Sequence, residues 1–122
     1  MYELKVVSGF GAAHHLRNFY GKCEDLHGHN WKVEVYVTSE DLDQAELVMD
    51  FGLIKKHLAE VIEDLDHKYL NDLEFFKVRN PSSENIARFI YEGLAPRIQA
   101  GGARLSRVSA WESETSCATY WP

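Results

Sequence analysis

His27 and His29 stand two residues apart in "CEDLHGHNWKVEV", with only Gly28 between them. In a strand, residues i and i+2 project to the same side. The two imidazoles would then lie side by side with no bulk separating them. A third imidazole would complete the His₃ set with which a catalytic zinc keeps one coordination position open. Such an ion polarises a hydroxyl or carbonyl and lowers the pKa of what it binds. An H-x-H pair alone is a weak signal, because hydrogen-bonded histidines in a core or on a surface are commoner. The third candidate is His14. It closes the stretch 2–14, in which Tyr2, Leu4, Val6, Phe10, Ala12 and His14 share one face. If this stretch pairs antiparallel with the one carrying His27, His14 arrives beside His27 and His29. His15 should face the other way, and His57 reads as a partly exposed helix residue.

Three further groups have chemistry to offer. Cys23 precedes the histidine pair in "YGKCEDLHGH". A nearby cation would depress its pKa and yield a thiolate able to act as base or nucleophile, although a lone cysteine is more often inert. Asp66 and His67 are neighbours in "LDHKYLND". In a tight loop a carboxylate can orient an imidazole for proton transfer, whereas at a helix end the imidazole would simply face the dipole. Glu112 ends a strand in "VSAWESETSCATY". A carboxylate there could accept two parallel N–H groups from an amidine-like edge such as that of a pterin or guanine ring. Glu114, two residues on, competes for the same role, and either could simply be solvated.

The elements that must position these groups follow from periodicity. Residues 2–14 and 27–38 alternate as half-buried strands. In the second, His27, His29, Trp31, Val33, Val35 and Val37 share a face. Asp50 can cap a helix whose apolar positions are Ile54, Leu58, Val61, Ile62 and Leu65. "NPSSEN" opens a second helix, with Asn80 or Ser82 as cap, Pro81 early, and Ile86, Phe89, Ile90, Leu94 and Ile98 as its apolar face. Pro96 should end or kink it, and "AGG" at 100–102 stops it. Two last strands fall near 104–113 and 116–121. The order β-β-α-α-β-β predicts an α+β fold, a four-stranded antiparallel sheet with both helices on one face.

The chain has 122 residues and a formal net charge of −6, with 45% hydrophobic residues. The length fits one domain spanning 1–122. The acidic balance argues against a general nucleic-acid partner. Two cysteines are too few for a secreted disulfide scaffold. No stretch reaches the length needed to span a membrane. A cytoplasmic protein is the expectation.

Taken together, "FGAAHHL", "CEDLHGHNWKVEV", "VMDFGLIK", "LDHKYLN", "NPSSENIA" and "ESETSCATY" resemble the 6-pyruvoyl-tetrahydropterin synthase family over nearly the whole chain. The resemblance is nearest to the bacterial branch, 6-carboxy-tetrahydropterin synthase of queuosine biosynthesis. Three residues separate Cys23 from the His-Gly-His run, as in that branch. The resemblance implies Zn²⁺ on His14, His27 and His29, with Cys23 as catalytic thiol. It makes Asp66 and His67 proton-relay partners, and Glu112 rather than Glu114 the anchor of the pterin ring. It implies a lyase that converts 7,8-dihydroneopterin triphosphate to 6-carboxytetrahydropterin, acetaldehyde and triphosphate. The alternatives are the 6-pyruvoyl product, without acetaldehyde release, or a non-catalytic zinc- or pterin-binding module. It also implies the tunnelling fold, in which three subunits join their sheets into a barrel and two trimers stack into a homohexamer. Arg17, Lys22, Lys68 and Arg79 are candidates for a basic mouth facing the triphosphate. Glu112-Ser113 and Pro81-Ser82 stand where the family usually has Glu-Thr and Pro-Thr.

Overall fold

The computed structural model describes residues 1–122. β1 (Tyr2–His14) and β2 (His27–Ser39) pair antiparallel along their full length, from Tyr2 opposite Ser39 to His14 opposite His27. Their alternation becomes burial. Val6, Phe10, Ala12 and His14 of β1 are buried, as are Trp31, Val33, Val35 and Val37 of β2. A slip of one residue would turn this whole set to the wrong face, so the apolar pattern fixes the register.

α1 (Phe51–Ile62) begins where Asp50 accepts a hydrogen bond from the Gly52 N–H, and it buries Ile54, Leu58, Val61 and Ile62. Leu65 lies beyond the helix in the turn that follows, yet is fully buried. The chain then forms β3 (Lys68–Tyr69). α2 (Ser83–Leu94) is capped by Ser82, whose hydroxyl accepts from the Asn85 N–H at 3.2 Å. Ser82 is therefore the cap, and Asn80 and Pro81 precede the helix. α2 ends at Leu94, and Pro96 falls in a 3₁₀ turn over Ala95–Arg97. Ile98 continues the apolar spacing past the helix end and remains buried. β4 (Arg104–Ser113) pairs antiparallel with β2 across an irregularity at Tyr36 and Val37, and β5 (Ser116–Tyr120) returns antiparallel along β4.

The buried residues of both helices and of the strands form one core cluster of 25 side chains. α1 packs against β1 and α2, and α2 against β4 and β5, so both helices cover the same side of the sheet. The opposite side is polar. There Lys5 lies 3.3 Å from Glu34, and Arg107 lies 3.1 Å from Glu3. No helix is long and apolar enough to cross a membrane.

The sheet departs from expectation in one respect. It has five strands, in the order β3-β1-β2-β4-β5, and β3 runs parallel to β1. Four strands, all antiparallel, were expected. A two-residue strand carries no periodicity to read. It forms because the chain after α1 hooks onto β1. His67 takes a left-handed backbone (φ 57°), its N–H donates to the Gly11 carbonyl at 2.6 Å, and the Gly11 N–H donates to Asp66 Oδ1 at 3.0 Å. Lys68 and Tyr69 are thereby laid beside Ala12 and Ala13.

Candidate metal centre

The β1–β2 register places His14 directly opposite His27, with His29 opposite Ala12. The three rings converge at this end of the sheet. Their centroids lie 4.6 Å (His14–His27), 5.3 Å (His14–His29) and 4.7 Å (His27–His29) apart. Glu112 reaches the same point from β4. Its Oε1 is 2.9 Å from His29 Nε2, 3.7 Å from His14 Nε2 and 4.0 Å from His27 Nε2. One ligand atom from each of these four residues lies within 4.8 Å of every other, so the group could hold a metal ion.

The tautomers favour ligation. His14 Nδ1 lies 2.7 Å from the Pro81 carbonyl, and His27 Nδ1 lies 2.8 Å from the Asp25 carbonyl. A carbonyl only accepts, so each Nδ1 must carry the proton and donate it. Each Nε2 is then left with a lone pair pointing at the cluster, as in the outer-sphere partners that orient metal-bound histidines. His14 is buried. Desolvation pushes its pKa below the ordinary imidazole value, helped by His27 and His29 and opposed by the Pro81 carbonyl and Glu112. A neutral ring is the form a metal needs. The Nε2 atoms of His14 and His29 are buried without a hydrogen-bond partner; the 2.9 Å approach of Glu112 to His29 is not aligned as a hydrogen bond. Orphaned buried nitrogens are costly, and a cation between them would satisfy both. The donor set fits a divalent ion.

The Pro81 carbonyl that holds His14 is itself fixed. Asn80 Oδ1 accepts from the Arg17 N–H at 2.8 Å, and Asn80 Nδ2 donates to the Arg17 carbonyl at 2.8 Å. Asn71 pairs with the backbone of His15 in the same manner, at 3.0 and 2.9 Å. These two side chains act as a substitute strand just where β1 ends. His15 points away from the cluster, and its Nδ1 meets the Tyr69 hydroxyl at 2.7 Å. His57 takes no part in the cluster.

Asp66 and His67 do meet, His67 Nδ1 lying 3.0 Å from Asp66 Oδ1. The Gly11 N–H is the main reason the Asp66 carboxyl is held below its ordinary pKa, with His67 adding to the effect against some desolvation. His67 is largely exposed. It opens onto a groove of about 610 Å³ that is also lined by His29, Lys68 and Tyr69, over a floor of Gly11, Ala13 and Gly28. The groove thus joins the metal cluster to the Asp–His pair.

Cys23 belongs to neither group; it is a free, exposed thiol in the loop joining β1 to β2. Glu24 closes that loop, its N–H donating to the Leu16 carbonyl at 2.9 Å and its Oε1 accepting from the Leu16 N–H at 3.1 Å. Of the four candidates for a basic mouth, two are committed elsewhere. Arg17 donates to the carbonyls of Phe76 and Arg79, and Arg79 donates to the Phe75 carbonyl while lying 4.1 Å over the Phe75 ring. Lys22 and Lys68 remain exposed. Glu114 sits exposed in the β4–β5 turn, so only Glu112 faces the cluster. The proximity of Glu112 to the histidines was missed from sequence, although Val108, Ala110 and Glu112 alternate onto the core face.

Ligands gathered at one end of a sheet that is backed by helices on one side define a small α+β protein with a histidine-rich metal centre. Comparison with known families is specific. The chain belongs to the 6-pyruvoyl tetrahydropterin synthase family, whose model matches residues 3–122. It is 40% identical over 117 residues to the 6-carboxy-5,6,7,8-tetrahydropterin synthase of Synechocystis, covering 92% of this chain and 87% of that protein. It is 37% identical to the dihydroneopterin monophosphate aldolase of Pyrococcus furiosus, covering 86% and 84%. The structure of Caenorhabditis elegans 6-pyruvoyl tetrahydropterin synthase superposes with a TM-score of 0.86 at 27% identity, covering 99% of this chain and 95% of that one.

Proposed function

We propose that this protein is a zinc-dependent 6-carboxy-5,6,7,8-tetrahydropterin synthase, acting on 7,8-dihydroneopterin triphosphate in the route to queuosine. The convergence of His14, His27 and His29 at the β1–β2 end carries the reading. The similarity to the Synechocystis enzyme selects the product. The products are 6-carboxytetrahydropterin, acetaldehyde and triphosphate. The ring is reduced as the side chain is oxidised, so no external reductant is consumed.

His14, His27 and His29 hold the zinc, which when bound supplies a Lewis acid for the side-chain oxygens of the substrate. The backbone carbonyls of Pro81 and Asp25 keep the His14 and His27 rings in the ligating tautomer. Glu112 accepts the paired N–H groups of the pterin edge. Cys23 removes a side-chain proton. Asp66, held ionised by the Gly11 N–H, does not itself carry a proton at neutral pH; it orients His67 through Nδ1, leaving Nε2 to exchange protons with the substrate. Lys22 and Lys68 face the triphosphate.

Cys23 lies outside the cluster of its own chain, and the β3 and β5 edges of the sheet are open to pairing. Both features favour a homohexamer in which sheets join edge to edge, the polar face lines a central barrel, and neighbouring chains complete each site. The single domain spans 1–122, and its place is the cytoplasm.

Incubation of the zinc-loaded protein with 7,8-dihydroneopterin triphosphate tests the reading. Acetaldehyde, read by alcohol dehydrogenase and NADH, should appear in step with triphosphate and a 6-carboxy product mass. A product that keeps its three-carbon side chain would instead establish the pyruvoyl activity, for which the Caenorhabditis elegans structure speaks. Turnover of the monophosphate alone would favour an aldolase, and no turnover of either would leave only a binding module.

A further inference from the structure

Glu112 is drawn two ways. A carboxylate that anchors a pterin edge must point at the substrate, yet here Glu112 points into the histidine cluster. Its Oε1 lies 2.9, 3.7 and 4.0 Å from the three Nε2 atoms. A tetrahedral zinc with bonds of about 2.0–2.1 Å has its ligand atoms about 3.3–3.4 Å apart. The three distances bracket that value, so Oε1 stands close to the fourth corner of a tetrahedron whose other corners are His14, His27 and His29. The tautomers of His14 and His27 aim lone pairs at the same centre. Glu112 approaches His29 closely without hydrogen-bond alignment, as two ligand atoms sharing an ion would.

We infer that Glu112 is the fourth protein ligand of the metal in the substrate-free protein, and that an arriving pterin takes the carboxylate away and opens the site. The exchange half rests on the pterin reading above; the ligation half does not. Glu112 has the freedom this requires. Its side chain is 40% exposed and stands one residue from the end of β4, whereas His14 is buried and locked to Pro81. The device joins two events in one residue. The metal presents four protein ligands until a pterin edge competes for the carboxylate, so the open position is made only when the substrate is in place to use it.

The test has two arms. In the first, no pterin is present. Zinc affinity is measured by competition with a chromophoric chelator, and the visible bands of the Co²⁺-loaded protein are recorded, for wild type, Glu112→Gln and Glu112→Ala. Loss of outer-sphere partners alone commonly weakens metal binding about 10–100-fold. Glu112→Ala should lose at least that much, and its Co²⁺ bands should shift as water replaces the carboxylate. Metal-free melting curves that match wild type exclude misfolding as the cause, and Glu112→Gln, which keeps the shape, guards the conclusion if the alanine variant melts early. Affinities within about twofold of wild type, with superimposable Co²⁺ spectra, would overturn the ligation. In the second arm, neopterin is titrated into Co²⁺-loaded wild type, with its fluorescence reporting binding. The bands should move as neopterin saturates. Unmoved bands overturn the exchange; if neopterin also fails to bind, the pterin reading falls with it while the ligation stands.

Discussion

Asn71→Ala is the substitution whose effect the structure specifies best. Asn71 is buried at 7% exposure. Its amide makes both hydrogen bonds to the backbone of His15, accepting at 3.0 Å and donating at 2.9 Å. No strand pairs with residue 15, so both backbone groups would lose their partner in a site that water enters poorly. Each bond is worth about 0.5–1.5 kcal/mol net, and the loss of two sets the cost at about 2 kcal/mol. For a chain of this size that is a fall in Tm of roughly 6–10 °C. Asn80→Ala is the internal control. Asn80 makes the same pair of bonds to Arg17, but it is only half-buried, so water can replace part of what is lost. It should cost less. Urea unfolding of metal-free protein at one fixed protein concentration measures both, because ligand and self-association would otherwise add their own stabilisation. An Asn71→Ala protein within about 0.5 kcal/mol of wild type, or one more stable than Asn80→Ala, would refute the argument that these amides stand in for a missing strand.

Two further predictions concern the chemistry. Cys23→Ala should keep its metal and its melting curve, since the thiol is exposed and outside the cluster, but lose about 10²–10⁴-fold in turnover; an unchanged rate would remove Cys23 from the mechanism. Asp66 has its native pKa depressed below the ordinary 3.8, first by the Gly11 N–H. Its ionised form therefore contributes stability that is present above the unfolded-state value and lost as pH falls through the lower native one. Asp66→Asn should be less stable than wild type at pH 7 by an amount that shrinks only below about pH 4, measured by denaturant unfolding across pH. A gap that closes between pH 5 and 7 would assign it to another group.

Much of this arrangement was legible in the sequence because strand alternation is a strict code. His14, His27 and His29 sit on the same parity as Val6, Phe10, Trp31 and Val33, and burial of those apolar residues left the histidines no other direction. The helix caps at Asp50 and Ser82 were readable for the same local reason, an oxygen one to three residues before an apolar repeat. What escaped was non-local. β3 is two residues long and exists through contacts of Asp66 and His67 with Gly11, 55 and 56 positions away in the chain. The pairing of Arg17 and Arg79 with backbone carbonyls depends on how the loop after β1 meets the segment before α2. Glu112 was half-legible. Its parity with Val108 and Ala110 was available, but its reach to His29 depends on the β2–β4 register, which the sequence does not state.

The central claim is that His14, His27 and His29 hold one metal ion. Its most direct test is the metal content of purified protein after dialysis against metal-free buffer. The account predicts about one zinc per chain in wild type, and near-complete loss in His14→Ala, His27→Ala and His29→Ala, each still folded by circular dichroism. Wild-type protein that retains no metal when zinc is supplied, or variants that retain it undiminished, would contradict it.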